Sequence, residues 1–321
     1  MKIVTDEPYD IKSAVLFIIF NRPDTTKKVF DQIKAGKPGR LYIAADGPRM
    51  NRPGEEVLCR QTREIINDVD WPCEVKTLFR QTNQGCKEAV SSAIAWFFEN
   101  EEEGIILEDD CLPNNSFFRF CDTLLEKYRF DNRIGHISGC NFQHGKKWGS
   151  ASYYFSNMTH VWGWASWRRV WKGYSKDLKK FSEKEIRKQL KNVFDDNFIV
   201  DTWVQIFNDT KAGKIDTWDY QLALTNFFNG SLSIIPNSNL ISNIGFGNNS
   251  THTVDVDSPN ANIPLQDIGE IAHPECVLPE KKADLLTLHY DFDVEHQRPK
   301  HNLLRRRFKR WVKSLFRSKN S

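Results

Sequence analysis

"SAVLFIIFNRPDTTKKVFDQIKAGKPGRLYIAADGP", Ser13–Pro48, decides the fold. The apolar run Ala14–Phe20 is too continuous for a strand with one wet face, so it predicts a strand buried on both sides. The turn at Asn21–Pro23 and the stretch after it predict a helix, with Asp24 or Thr25 placed to cap it. "GRLYIAADGP" predicts a second strand that stops at Asp46-Gly47-Pro48. Working outward, "RPGEEVLCRQTREIINDV" (52–69) predicts a helix with Val57, Ile65 and Ile66 on its apolar side. "CEVKTLFRQ" (73–81) predicts a third strand, "CKEAVSSAIAWFFENE" (86–101) a helix, and "GIILED" (104–109) a fourth strand. Alternation of this kind predicts an α/β fold: a mostly parallel sheet with helices on both faces.

The pattern changes after Pro113. "NSFFRFCDTLLEKYRFD" predicts a helix and "RIGHISGCNF" a strand and loop, followed by a tryptophan-rich segment and a charged helical stretch near 182–193. Residues 231–253 mix short strands with Asn, Ser and Gly, and 254–302 carry proline and acid with little periodicity. That last stretch predicts a segment that wraps the surface or links to the tail.

Seven cysteines form no C-x-x-C pair, which excludes a zinc ribbon and a thioredoxin-like motif. The opening "MKIVTDEPYD" has acids where a signal peptide needs an apolar region, and Ala14–Phe20 is too short to span a bilayer. A reduced, cytoplasmic protein is the expectation. Charge is uneven: Leu303–Ser321 hold eight Lys/Arg and no acid, so the other residues stand at −5 within a net +3. Leu304, Phe308, Trp311, Val312, Leu315 and Phe316 fall on one face of a helix with the basic residues opposite. This basic amphipathic tail reads as an anchor on an anionic membrane surface, placing the protein peripherally on the inner face of the cytoplasmic membrane; a solvated helix or a nucleic-acid tail is the weaker alternative.

In open parallel sheets, ligands bind beyond the carboxyl ends of the strands. Asn21-Arg22, Asp46-Gly47, Arg80-Gln81 and Glu108-Asp109-Asp110 all stand at such ends and are expected to meet in one crevice. Three adjacent acids need something positive among them. Carboxylates at a strand end suit Mg2+ or Mn2+, which bind through one or two carboxylates plus substrate phosphates. Neither a Walker loop nor G-x-G-x-x-G is present.

The run from a hydrophobic strand into Glu108-Asp109-Asp110, followed by "CLPNNSFFRF", resembles the D-x-D-type motif of GT-A fold glycosyltransferases. It is most similar to the inverting enzymes typified by the N-acetylglucosaminyltransferase that initiates hybrid N-glycans. Arg22 after the first strand and Asp46 after the second match as well. The segments Trp218–Gln221 ("WDYQ") and Asn239–Thr253 also resemble a group of bacterial sugar transferases. The resemblance covers roughly residues 12–255. It implies a donor-binding half over 1–112 and an acceptor-binding, catalytic half over 113–255 of one GT-A domain, then the segment 256–302 and the tail 303–321.

By the same resemblance, Arg22 contacts the nucleotide and Asp46 accepts from a uracil imide N–H, which favours a UDP-sugar. Gln81 and Asn83 lie at the ribose. Asp110 ligates Mn2+ or Mg2+, Asp109 faces ribose or the donor sugar, and Glu108 orients the loop. Ser250 and His252 close over the diphosphate, and Asp219 is the catalytic base. Asp195, Asp196 and Asp201 are rival bases, or simply a solvated helix face. The implied activity is inverting transfer of a hexosyl or N-acetylhexosaminyl group from a nucleotide-sugar to a glycan or lipid-linked glycan acceptor in bacterial surface polysaccharide synthesis. No nucleic-acid partner is expected. "HVWGWASWRRVW" (160–171) either encloses sugar or packs the core. Two other readings stay open: a sugar-1-phosphate nucleotidyltransferase, which needs a Gly-rich basic loop that "FNRPDTTKK" lacks, and a non-catalytic carbohydrate- or nucleic-acid-binding module.

Overall fold

The computed structural model describes residues 9–246 and 260–303. Ser250, His252 and the tail beyond Leu303 therefore lie outside the described residues. The chain opens with β1 (Ala14–Ile19), α1 (Pro23–Gly36), β2 (Arg40–Ala45), α2 (Glu55–Arg63), β3 (Glu74–Phe79), α3 (Cys86–Asn100) and β4 (Glu103–Glu108). It continues through β5 (Cys111–Pro113), α4 (Asn115–Lys127), β6 (Ile134–Ser138), β7 (Tyr153–Ser156), β8 (Trp164–Trp167) and α5 (Arg168–Trp171). Then follow α6 (Glu183–Val193), α7 (Asn197–Lys211), α8 (Asp219–Asn229), β9 (Leu232–Pro236), β10 (Ile241–Asn243) and α9 (Lys281–Asp291).

Eight strands form one sheet in the order β3-β2-β1-β4-β8-β6-β9-β7, and β10 pairs with β5 in a small second sheet. The block β3-β2-β1-β4 is wholly parallel, as is β6-β9, while β8 runs antiparallel to both its neighbours and β7 antiparallel to β9. This is the mixed, mostly parallel, Rossmann-like α/β architecture expected from the sequence. The reason is visible in the pleat. Val15, Phe17 and Ile19 of β1 join the core under α1 and α4, whereas Ala14 and Leu16 join the core under α3. Leu41 and Ile43 against Tyr42 and Ala44 repeat this in β2, as Ile105 and Leu107 against Ile106 do in β4. A strand buried on both faces must be apolar throughout, which the run Ala14–Phe20 satisfies.

Local details differ from the expectation. α1 starts at Pro23, whose fixed φ suits the first helical position, so Arg22 is the N-cap and neither Asp24 nor Thr25 caps it. α2 turns Glu55, Cys59 and Thr62 inward, leaving Val57 exposed, because buried Glu55 is held by Arg49. The segment 172–215 builds a separate apolar core in which α6 and α7 pack with α8 around Trp203, Phe207 and Phe227. Residues 260–280 end along the β7 edge of the sheet, where Glu280 N–H donates to the Phe155 carbonyl at 2.7 Å and Ser152 N–H to the Ala272 carbonyl at 2.9 Å. All seven cysteines are free thiols. No helix of the described residues is long and apolar enough to cross a membrane.

Candidate functional site

The strand order turns at β1: β2 and β3 lie to one side, β4 to the other. At such a switch point the loops leaving the carboxyl ends part and open a crevice. A cleft of about 440 Å³ lies there, lined among others by Arg22, Asp46, Asn83, Glu108, Asp109, Asp110, Trp162 and Asp219. A larger basin of about 1140 Å³ sits at the opposite edge, where β1, β2 and β4 begin. Its charges neutralise one another in the pairs Arg40–Glu101, Arg168–Glu102 and Arg129–Glu103, so the smaller cleft is the candidate site.

The cation among the three acids belongs to the chain. β1 and β4 are paired in parallel with Ile18 opposite Glu108, which sets the turn after β1 beside the end of β4. Arg22 Nη2 pairs with Asp109 Oδ1, and Arg22 Nη1 lies 2.9 Å from Asp110 Oδ2. Asp109, expected to face ribose or sugar, turns both oxygens onto protein, because its Oδ2 accepts from Phe20 N–H at 3.1 Å. Asp110 is more open, with its Oδ1 3.4 Å from the Cys111 thiol. Glu108 faces the cleft and accepts no hydrogen bond from the described residues. Burial, then the charges of Asp110 and Asp109, raise its pKa to about 8. Burial also raises Asp109 to about 6, although Arg22 pulls the other way. Gly245, after β10, lies over this ion pair. A Cβ there would collide with Asp110 Oδ2 and stand 2.7 Å from Arg22 Nη1.

Asp46 ends β2 as expected but spends its carboxylate on the next loop. It accepts from Gly47 N–H at 2.9 Å, Gln84 N–H at 3.0 Å and Asn83 Nδ2 at 2.9 Å. Burial pushes its pKa up, opposed by these bonds. Asn83 therefore reaches the cleft as a partner of Asp46, while Gln81 is exposed and does not line it. Asp219 is the first residue of α8 and faces the cleft, and its Oδ1 accepts from Thr217 Oγ1 and from Tyr220 N–H at 2.9 Å. The rival acids are engaged elsewhere: Asp195 with Lys281, Asp196 with Arg298 as the cap of α7, and Asp201 with Arg187. None of the three lines the cleft.

Sequence reasoning missed Asp216, Arg49 and Cys86, all of which line the cleft. Asp216 accepts from Lys87 N–H at the start of α3, and its spacing of three from Asp219 was the available signal. Burial, then Glu108, Asp216, Asp219 and Asp46, push the Cys86 thiol up to about 12, which disfavours its thiolate. Of the four clustered tryptophans, Trp164, Trp167 and Trp171 are core, while Trp162 lines the cleft between Phe142 and Phe246. Gly163, at φ 60°, lets the backbone pass Ile241, where a Cβ would lie 2.5 Å from its Cδ1.

Among the described residues no group of three or more His, Cys, Asp or Glu side chains could by itself hold a metal ion. Asp110 fits as one ligand of an ion completed by phosphate oxygens and water, which is how Mg2+ and Mn2+ commonly bind.

No protein-family model and no curated protein sequence matches the chain. Solved structures similar to it include a cytidylyltransferase from Leptospira borgpetersenii serovar Hardjo-bovis, at 11% identity and TM-score 0.29 over 50% of this chain and 63% of that one. A 4-diphosphocytidyl-2C-methyl-D-erythritol synthase from Anaerococcus prevotii aligns at 11% identity and TM-score 0.30, covering 58% and 85%. An apo UDP-glucose pyrophosphorylase aligns at 10% identity and TM-score 0.31, covering 67% and 98%. The chain thus spans under two thirds of the first of these. Likeness at TM-scores near 0.3 supports neither nucleotidyl transfer nor glycosyl transfer.

Proposed function

We propose that the chain is a nucleotide-sugar-dependent glycosyltransferase acting by inversion, with its donor in the cleft beyond β1, β2 and β4. The observation that carries this reading is the convergence of Arg22, Asp46, Asp110 and Asp219, from four separate segments, on one cleft of about 440 Å³. Asp46, whose two oxygens hold Gly47, Asn83 and Gln84, shapes the loop that borders the nucleotide rather than reading the base itself. Arg22 fixes Asp109 and Asp110 so that Asp110 faces the diphosphate. Asp219, held by Thr217 and the α8 backbone, takes the proton of an acceptor hydroxyl as it attacks the anomeric carbon from the opposite side. A Mn2+ or Mg2+ ion at Asp110 would supply Lewis-acid stabilisation of the diphosphate leaving group. That the acceptor is a glycan or lipid-linked glycan at an anionic membrane surface rests on the sequence pattern of 303–321.

The second reading is a sugar-1-phosphate nucleotidyltransferase. The β1–α1 connection weighs against it, because Phe20-Asn21-Arg22 passes directly into a helix with no glycine-rich cradle for a triphosphate. One assay separates the two. The purified chain is given a panel of UDP-, dTDP- and GDP-sugars, or the matching nucleoside triphosphates with sugar 1-phosphates, each with Mn2+ or EDTA. Metal-dependent release of nucleoside diphosphate, lost in Asp110→Ala, supports glycosyl transfer. Pyrophosphate release from the triphosphate supports the second reading, and neither product refutes both.

A further inference from the structure

Beside the cleft, the end of α9 and the 139–145 turn carry a cluster for which the donor site has no use. Tyr290 is 55% exposed, and its ring meets His144 edge to face at 4.8 Å. His144 is also exposed and sits at φ 48°, a left-handed conformation uncommon for a residue other than glycine. The turn that presents it is pinned at several points. Asn141 N–H donates to Asn239 Oδ1 at 3.0 Å, Gln143 Nε2 to Thr287 Oγ1 of α9 at 2.7 Å, and Trp148 Nε1 to Gln143 Oε1 at 2.8 Å. These bonds fix the turn that carries His144 against α9 before any ligand arrives, which lowers the entropy cost of binding.

Asp291 follows Tyr290 and ends α9. It is solvent-accessible and has no hydrogen-bond or ion-pair partner among the described residues. A carboxylate at a helix C-terminus opposes the helix dipole, so the position costs stability and calls for another reason. Phe292 and Tyr220 both pack on Trp203, at 5.4 and 6.0 Å, which holds the end of α9 against the first turn of α8.

We infer that Tyr290, His144 and Asp291 form a saccharide subsite next to Asp219, with a sugar ring lying against Tyr290 and its hydroxyls donating to Asp291. An exposed aromatic face beside an unpaired carboxylate suits a neutral polyhydroxyl ligand: the ring covers C–H groups, and the carboxylate is a charge-assisted acceptor. An anionic ligand would meet both Asp291 and Asp219. As the acceptor side of a transferase this subsite rests on the reading above; as a saccharide site it stands without it.

The test is saturation-transfer NMR on the full chain, with methyl β-glycosides of glucose, galactose and N-acetylglucosamine and with UDP in the same tube. At least one glycoside should be saturated by the wild type. Binding should weaken about tenfold in Asp291→Asn and Tyr290→Ala, the loss expected for one charge-assisted hydrogen bond or one ring contact. Both residues are exposed, and an unchanged melting temperature confirms that the variants fold. A panel with no saturated glycoside, or saturation equal in wild type and both variants, overturns the subsite. Absence of UDP saturation would count against the donor reading alone, because the glycoside signals are read separately.

Discussion

Replacing Arg22 by Leu keeps much of its volume and removes the cation between Asp109 and Asp110. With an effective dielectric constant of about 20, a contact at the 2.9 Å seen between Arg22 and Asp110 has a gross Coulomb energy of about 6 kcal/mol. Most of that is offset by desolvation of the three charges in the folded state. What matters for the variant is the charge left behind. The Asp109 side chain is only 4% exposed, and removing one partner of a buried pair costs about 3–5 kcal/mol. Because the Arg22 side chain is itself 23% exposed, the lower end applies, and Arg22→Leu should lose about 3 kcal/mol. Urea unfolding followed by tryptophan fluorescence reads this as a lower midpoint at unchanged slope. Neutralising the orphaned acid should recover part of the loss, so Arg22→Leu/Asp109→Asn should be more stable than additivity allows by about 2 kcal/mol. A coupling below about 0.5 kcal/mol would refute the assignment of Arg22 as the internal counter-ion.

Asp219→Asn should lower transfer about 10²–10⁴-fold while nucleotide-diphosphate affinity, read by calorimetry, stays within a factor of about two. Gly245→Ala should weaken both stability and transfer, because the added methyl displaces the Arg22–Asp110 contact; overpacking costs about 1–3 kcal/mol, and urea midpoints measure it. His136 and His160 are held neutral, their pKa values lowered to about 4 and about 3, chiefly by burial. The unfolded chain therefore binds protons before the folded one does, and these residues cost stability as pH falls from about 6.5 through 4. His136→Gln should make the loss between pH 7 and pH 5 smaller by about 2 kcal/mol. That comparison is read as a difference from wild type, since the raised Glu108 and Asp109 carboxyls work in the opposite sense.

What could be read from the sequence was what repeats locally. The unbroken apolar run in β1 signalled burial on both faces, and successive strand–helix units signalled the parallel block, so Arg22, Asp46 and Glu108–Asp110 could be set at one edge without coordinates. The partner of the acids could be read only in part. Arg22 was expected to balance their charge together with a divalent ion and a phosphate substrate, but not to pair with them directly. It took the register Ile18↔Glu108 to show that the turn after β1 delivers a guanidinium there first. The tryptophans mislead for a related reason. Trp164 and Trp167 lie three apart on β8, hence on opposite faces, and each enters a different core. Of the four clustered tryptophans, Trp162, before the strand begins, is the one left to the cleft. Asp216 and Asp291 depend on how the α6–α9 core seats two helix ends, and no periodicity encodes that.

The division among the three acids bears on why a divalent ion should arrive with the donor rather than before it. One guanidinium balances Asp109 and Asp110 only in part, while burial and these two neighbours push the Glu108 carboxyl up towards its neutral form. The centre therefore keeps an excess of acidic groups over cations, and Asp219 and Asp216 across the cleft add to it. A bare diphosphate would be repelled there. A bare cation would find Asp110 alone, because Asp109 is fully engaged by Arg22 and the Phe20 N–H. Each is a poor ligand by itself, whereas together they cancel charge and complete one another's coordination. In the proposed reaction, then, Mn2+ titrated alone should give little heat, and Mn2+ with UDP should give a single tight event that Asp110→Ala abolishes. Tight Mn2+ binding to the free chain would mean that Arg22 leaves Asp109 and Asp110 to make room, and that the guanidinium is a gate rather than a fixed counter-ion.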